Sequence, residues 1–284
     1  MKISDLRVIR QIGVGGEGAV VLVEGPDSQE YAFKLVNTKR PDDLRKEVTT
    51  VMTVDSPYVI KYYDLFFFDK PFHGYNAGIL MEYINGIDVF DTITKTTFTS
   101  DHDRYRFFAK AAHDILSGLH AMHAKNIAHR DLKPENVMVD PTGPRFVLID
   151  FGISCLIKPG APELLRACNP TNKSGTRSLF SPQRAGNDLG LMSGYNPSLD
   201  DVWAVGVMLS FILNGDFPLP CDGEECERLV IKPGGREHLL RFKLSNKEDQ
   251  KKARHLVSRL TEYHQQDRIH LKAAVTLATA MYET

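Results

Sequence analysis

His129-Arg130-Asp131-Leu132-Lys133-Pro134-Glu135-Asn136, with Asp150-Phe151-Gly152 beyond it, is the stretch that decides how this chain reads. It offers a carboxylate placed to act as a base (Asp131), a cation (Lys133) and two hard oxygen ligands, the Asn136 amide and the Asp150 carboxylate. Such oxygens suit Mg²⁺, which keeps several waters and takes few protein ligands. Residues 146–149 read as a strand, so Asp150 stands at a strand end and Asp131 in the turn between a helix and a strand. An isolated Asp-Leu-Lys-Pro turn is only a polar loop. The step to Asn136 and the strand before Asp150 turn it into a site.

Outward from this segment the chain has two compositional halves. Before Gly86, short apolar runs at 6–12, 19–23, 31–36, 62–68 and 77–81 are separated by turn residues, which predicts an antiparallel sheet. One helix interrupts it, opening at Asp42 and Asp43, carrying Leu44, Val48, Val51 and Val54 at helical spacing, and ending before Pro57. After Gly86 the period becomes helical, over 104–125, 201–213, 250–263 and 272–282. The fold class is therefore α+β: a small sheet-rich lobe with one main helix, then a larger helical lobe.

Composition narrows the function. The 284 residues are 42% apolar and 25% charged, as in an ordinary globular protein. A net charge of -1 gives no field to draw the chain onto nucleic acid or an anionic membrane. The longest apolar run, 202–213, is too short for a bilayer, and residues 1–10 lack the apolar core of a secretory signal. Four scattered cysteines, Cys155, Cys168, Cys221 and Cys226, fit a reducing cytosol or nucleus better than a disulfide framework. Cys221 and Cys226 have no second pair to complete a zinc site.

With its neighbours the opening segment resembles the signature set of a eukaryotic-type protein kinase, and the resemblance covers nearly the whole chain. It implies one kinase domain over 1–284, with an N-lobe at 1–83 and the hinge and C-lobe at 84–284. Gly13-Val14-Gly15-Gly16-Glu17-Gly18 lies between two strands, where missing side chains let backbone N–H groups approach phosphates. A dinucleotide-binding glycine motif would be followed by a helix, and here a strand follows. Lys34 resembles the lysine that holds the α- and β-phosphates of ATP, with Glu47 as its helix partner.

Met81-Glu82-Tyr83-Ile84-Asn85-Gly86 resembles the hinge. That assigns the main chain of Glu82 and Ile84 to the purine edge, Met81 as gatekeeper, and Val20, Ala32 and Met138 as the apolar surroundings of the ring. Asp88 is the candidate for the ribose hydroxyls. Asp131 is then the base for the substrate hydroxyl, Lys133 the group that stabilises the transferred phosphoryl charge, and Asn136 and Asp150 the Mg²⁺ ligands. Asp201 resembles the buried aspartate that binds the catalytic-loop backbone. Thr176 and Lys133 are similar to Ser/Thr kinases, so the expected partners are proteins carrying Ser or Thr.

Two features depart from the family or leave it open. The segment 150–183 ends Ser181-Pro182-Gln183 where the family has a glutamate, while the expected partner Arg268 is present; a neutral amide there is expected to weaken an anchor. Arg130 suggests a pocket for a phosphate on Ser174 or Thr171. Asp88, Glu135, Asp222, Glu224 and Glu225 give no firm substrate consensus. The chain ends just after its last helix, which is expected to leave no autoinhibitory tail. Alternatives are a pseudokinase scaffold that binds nucleotide, or a kinase of small molecules on the same architecture.

Overall fold

The computed structural model describes residues 2–15, 18–157, 175–219, 221, 223–232 and 234–283. It divides into two units, Met1–Asn85 and Gly86–Thr284. The first holds strands β1 (Arg7–Gly15), β2 (Gly18–Glu24), β3 (Glu30–Val36), β4 (Tyr62–Phe72) and β5 (Tyr75–Glu82), with helix α1 (Pro41–Val51) between β3 and β4. The sheet is antiparallel in the order β1-β2-β3-β5-β4. Its core joins Val21, Val23, Tyr31, Phe33, Leu35 and Leu80, and Phe66, Phe68 and Phe72 meet Phe33 edge-on.

Strand β4 runs beyond the expected 68 because Phe72 pairs with Tyr75 across a two-residue turn. His73 and Gly74 both take positive φ there, 51° and 86°, the twist that a tight hairpin needs. Pro71 is tolerated because β4 is an edge strand. Helix α1 opens on Pro41, whose missing N–H is no loss in a first turn.

The second unit contains β6 (Ile87–Asp88), α2 (Val89–Lys95), α3 (Asp101–Ala124), β7 (Ile127–Ala128), β8 (Val137–Asp140), β9 (Arg145–Leu148), β10 (Cys155–Leu156), α4 (Pro182–Asp188), α5 (Pro197–Asn214), α6 (Gly223–Val230), α7 (Lys247–Leu260) and α8 (Leu271–Tyr282). Small sheets pair β6-β8-β9 and β10-β7. Helix α5 is buried almost throughout, with Trp203 fully enclosed, as a helix apolar on all sides must be. It begins at Pro197, earlier than the expected 201, because the Asn196 side chain accepts from the amides of Ser198 and Leu199. Gly215, at φ 78°, ends it in the left-handed conformation.

Helix α3 is likewise capped by Ser100, and its buried Asp114 accepts from the Phe146 amide at 2.9 Å, tying α3 to β9. The reading of the cysteines as scattered thiols is corrected: Cys221 and Cys226 are bonded to each other across a Cα separation of 5.1 Å, and Cys155 is also disulfide-bonded. The cysteine count therefore no longer supports a reducing compartment. Among the described residues no helix is long and apolar enough to cross a membrane.

Candidate active site

Strand β7 delivers the chain into His129, and Asp201 near the start of α5 clamps the backbone at that point. Its two carboxylate oxygens accept from the backbone amides of His129 and Arg130, each at 2.8 Å, and His123 Nε2 lies 3.0 Å from the same group. A carboxylate that is 1% exposed must be partnered in this way. The clamp holds Arg130 at φ 70°, a left-handed conformation costly for a non-glycine residue and over-determined here by the two bonds. His129 Nε2 donates to the Ile149 carbonyl at 3.0 Å, and its ring lies 5.1 Å from that of Phe151.

Asp131 then becomes the centre of a compact constellation. Thr176 Oγ1 donates to Asp131 Oδ1 at 3.0 Å, and Lys133 Nζ lies 3.3 Å from Oδ2. Asn136 Nδ2 donates to the Asp131 carbonyl at 2.8 Å and to Oδ2 at 3.2 Å. With its nitrogen committed to Asp131, Asn136 presents its amide oxygen, the atom a hard cation prefers. The Ile149 amide donates to the Asn136 carbonyl, so the ligand loop and the residue before Asp150 are stitched together. Asp150 sits at φ 60°, and its Oδ1 accepts from the Gly152 amide at 3.4 Å. One unit thus gathers Asp131, Lys133, Asn136, Asp150 and Thr176. This chemistry fits a divalent cation beside a base.

Asp88 and Met138 are cross-strand partners in β6 and β8. Asp88 also caps α2, accepting from the Asp91 amide at 2.7 Å, a structural task that the sequence pattern did not reveal. In the first unit, Lys34 on β3 pairs with Val20 and Ile79, and Ala32 pairs with Met81. Glu47 is partly buried on α1, and Glu82 and Ile84 lie at and just beyond the end of β5. Of the glycines, Gly18 is demanded by the fold itself: a Cβ there would lie 2.0 Å from the Leu35 carbonyl oxygen. Among the described residues nothing lies within 4 Å of a Cβ at Gly15, and one at Gly13 would meet only the Val20 side chain at 3.8 Å. At those two positions the described residues do not demand a glycine by close approach. Gly16, Glu17, Cys168, Thr171, Ser174 and Asp222 lie outside the described residues.

The end of the 150–183 segment is anchored despite its glutamine. Gln183 Oε1 accepts from Arg268, and its Nε2 donates to the Tyr263 carbonyl at 2.7 Å. Arg268 also donates to the carbonyls of Leu199 and Glu262 and stacks over Trp203. Burial pushes this guanidinium down to about 10 against the pull of the Asp200 and Glu262 carboxylates, so it stays charged at neutral pH. The next residue, Arg184, was not singled out from sequence. It is 3% exposed, 2.7 Å from Asp200 Oδ2, and its burial is more than offset by Asp200, which holds it above its ordinary range.

The sequence profile of the protein kinase domain matches residues 6–278. The chain belongs to the protein kinase family. It is 28% identical to CBL-interacting serine/threonine-protein kinase 8 of Arabidopsis thaliana, over 76% of this chain and 46% of that protein. It is 31% identical to a probable cAMP-dependent protein kinase catalytic subunit of Encephalitozoon cuniculi, over 77% and 63%. It is 32% identical to mitogen-activated protein kinase kinase 9 of Arabidopsis thaliana, over 78% and 67%. The matches therefore span about half to two thirds of these relatives.

Proposed function

We propose that this chain is a protein-serine/threonine kinase, transferring the γ-phosphoryl group of ATP, with Mg²⁺, to Ser or Thr hydroxyls of proteins. The observation that carries the reading is the set of contacts around Asp131, in which Thr176, Lys133 and Asn136 all reach the carboxylate at 3.0–3.3 Å. A substrate hydroxyl placed at Asp131 loses its proton to a base already oriented from both sides. Such a base typically contributes about 10² to 10⁴-fold. Lys133 supplies positive charge where the transferred group gains negative charge, and positioning and electrostatics carry most of this kind of catalysis. Asn136 and Asp150 would hold the metal, which neutralises phosphate charge when bound. Gly13 and Gly15 are the glycines assigned to the phosphate oxygens, and Lys34 is the cation assigned to them.

The pseudokinase alternative drew on Gln183, and that support fades because Gln183 keeps its hold on Arg268. A small-molecule kinase remains the competing substrate class. Transfer of labelled γ-phosphate from Mg-ATP should be compared on Ser/Thr peptides, Tyr peptides, and amino-sugar and choline alcohols, with Asp150→Asn alongside. Label on Ser or Thr that Asp150→Asn abolishes supports the proposal. Label confined to the small alcohols contradicts it.

A further inference from the structure

The family's anchor at position 183 is an ion pair, and this chain has a neutral amide there. A buried ion pair stands one residue further on, and it reaches somewhere else. Arg184 Nη1 donates both to Asp200 Oδ2, at 2.7 Å, and to the carbonyl of Arg130, at 2.8 Å. Asp200 in turn accepts from the Ser181 amide at 3.0 Å through its other oxygen. The guanidinium lies 3.7 Å from the centre of the Phe180 ring, and Tyr195 is the next ring over. Gly175 is fitted against it: a Cβ there would lie 2.5 Å from Arg184 Nη2 and 3.1 Å from the Arg130 carbonyl.

The Arg130 carbonyl belongs to the peptide that leads directly into Asp131. Asp201 holds the amides of His129 and Arg130, and Arg184 holds the oxygen of the next peptide. With both ends fixed, the left-handed Arg130 cannot relax and the direction of Asp131 is set. The geometry points to Arg184 as a positioning residue for Asp131, with Asp200 as the anion that keeps it in place. The inference rests on the kinase reading for its catalytic consequence and on the chain's own bonds for its structural one.

A buried ion pair is weak evidence of stability, because apolar residues of similar volume often replace one at no loss. That separates positioning from mere packing. Arg184→Met combined with Asp200→Asn removes both charges together, fills the volume and keeps an acceptor for the Ser181 amide. The donor to the Arg130 carbonyl is lost with the charge, while the methionine side chain keeps contact with the Phe180 ring. The expected result is a kcat about tenfold lower, the factor one ordinary hydrogen bond carries, with the KM for ATP within about twofold and the melting temperature within a few degrees. Arg184→Lys retains a donor and a charge, and should recover part of kcat.

Hydrogen exchange over residues 129–136, read by mass spectrometry, should be about tenfold faster in the double variant. That readout needs no catalysis, so it judges the positioning even if the wild type transfers no phosphate and the kinase reading fails. Unchanged exchange over 129–136 overturns the proposal. So does a kcat that stays at wild type, or one that falls only in step with ATP affinity and folding. Should the double variant not fold, Arg184→Lys is read the same way: a kcat deficit without a KM change supports the inference, and full activity with faster exchange absent contradicts it.

Discussion

Arg184 and Arg268 are both buried beside the end of the 150–183 segment, and different direct partners hold them. Arg184 faces a carboxylate, Asp200 at 2.7 Å, and is held above its ordinary pKa range. Arg268 makes its hydrogen bonds to neutral oxygens, of Gln183, Leu199 and Glu262, and burial draws it down against the more distant pull of the Asp200 and Glu262 carboxylates. A single anion makes a local, all-or-nothing partnership, whereas a ring of dipoles shares the cation among many bonds. Gln183 and Arg184 are adjacent in sequence yet bind different parts of the unit, one toward Arg268 and Tyr263, the other toward the loop that carries Asp131. The charge missing at 183 is thus not missing from the segment end.

The largest effect should come from breaking the local partnership. Asp200→Ala leaves Arg184 buried without an anion and the Ser181 amide without its acceptor, and should cost about 3–5 kcal/mol of unfolding free energy. Urea denaturation checks it: the midpoint should fall with little change in slope. A loss under about 1 kcal/mol would erase the contrast between the two arginines.

A smaller effect tests the shared partnership. Gln183→Glu gives Arg268 a charged acceptor but removes the donor to the Tyr263 carbonyl, so the net change at neutral pH should stay within about 1 kcal/mol. The new carboxylate, held below its unfolded range by Arg268, would contribute stability above that range and lose it as pH falls through its folded pKa. Melting temperatures of both proteins at neutral and acid pH measure this. An acid-side loss no larger in the variant than in wild type would mean that Arg268 does not sense the charge at 183.

Much of the site was legible because its residues are close in sequence. Asp131, Lys133 and Asn136 lie within one short loop, and Asp150 follows a readable strand. The contact from Thr176 to Asp131 spans a long stretch of chain and came only through resemblance. The Arg184–Asp200 pair was missed for a physical reason. Asp200 and Asp201 are neighbours on α5, and successive helical residues point about 100° apart. Asp201 serves the loop amides of His129 and Arg130, as the resemblance implied, and Asp200 serves Arg184, a task that no pattern in the sequence marks. Helix α4 was missed because seven residues are too few for a period to show. The turn expected between the runs 62–68 and 77–81 was not located at His73 and Gly74 because the usual two-residue hairpin signals are Asn-Gly and Asp-Gly.

If the groups around Asp131 form a working base, removing its charge must slow transfer without loosening ATP. The direct measurement is single-turnover transfer of γ-phosphate from Mg-ATP to a Ser/Thr substrate by wild type and Asp131→Asn, with ATP binding measured on the same preparations. The variant is expected to bind ATP as wild type does and to transfer at least about 10²-fold more slowly. Equal transfer by the two proteins, or a wild type that binds ATP and transfers nothing, would contradict it.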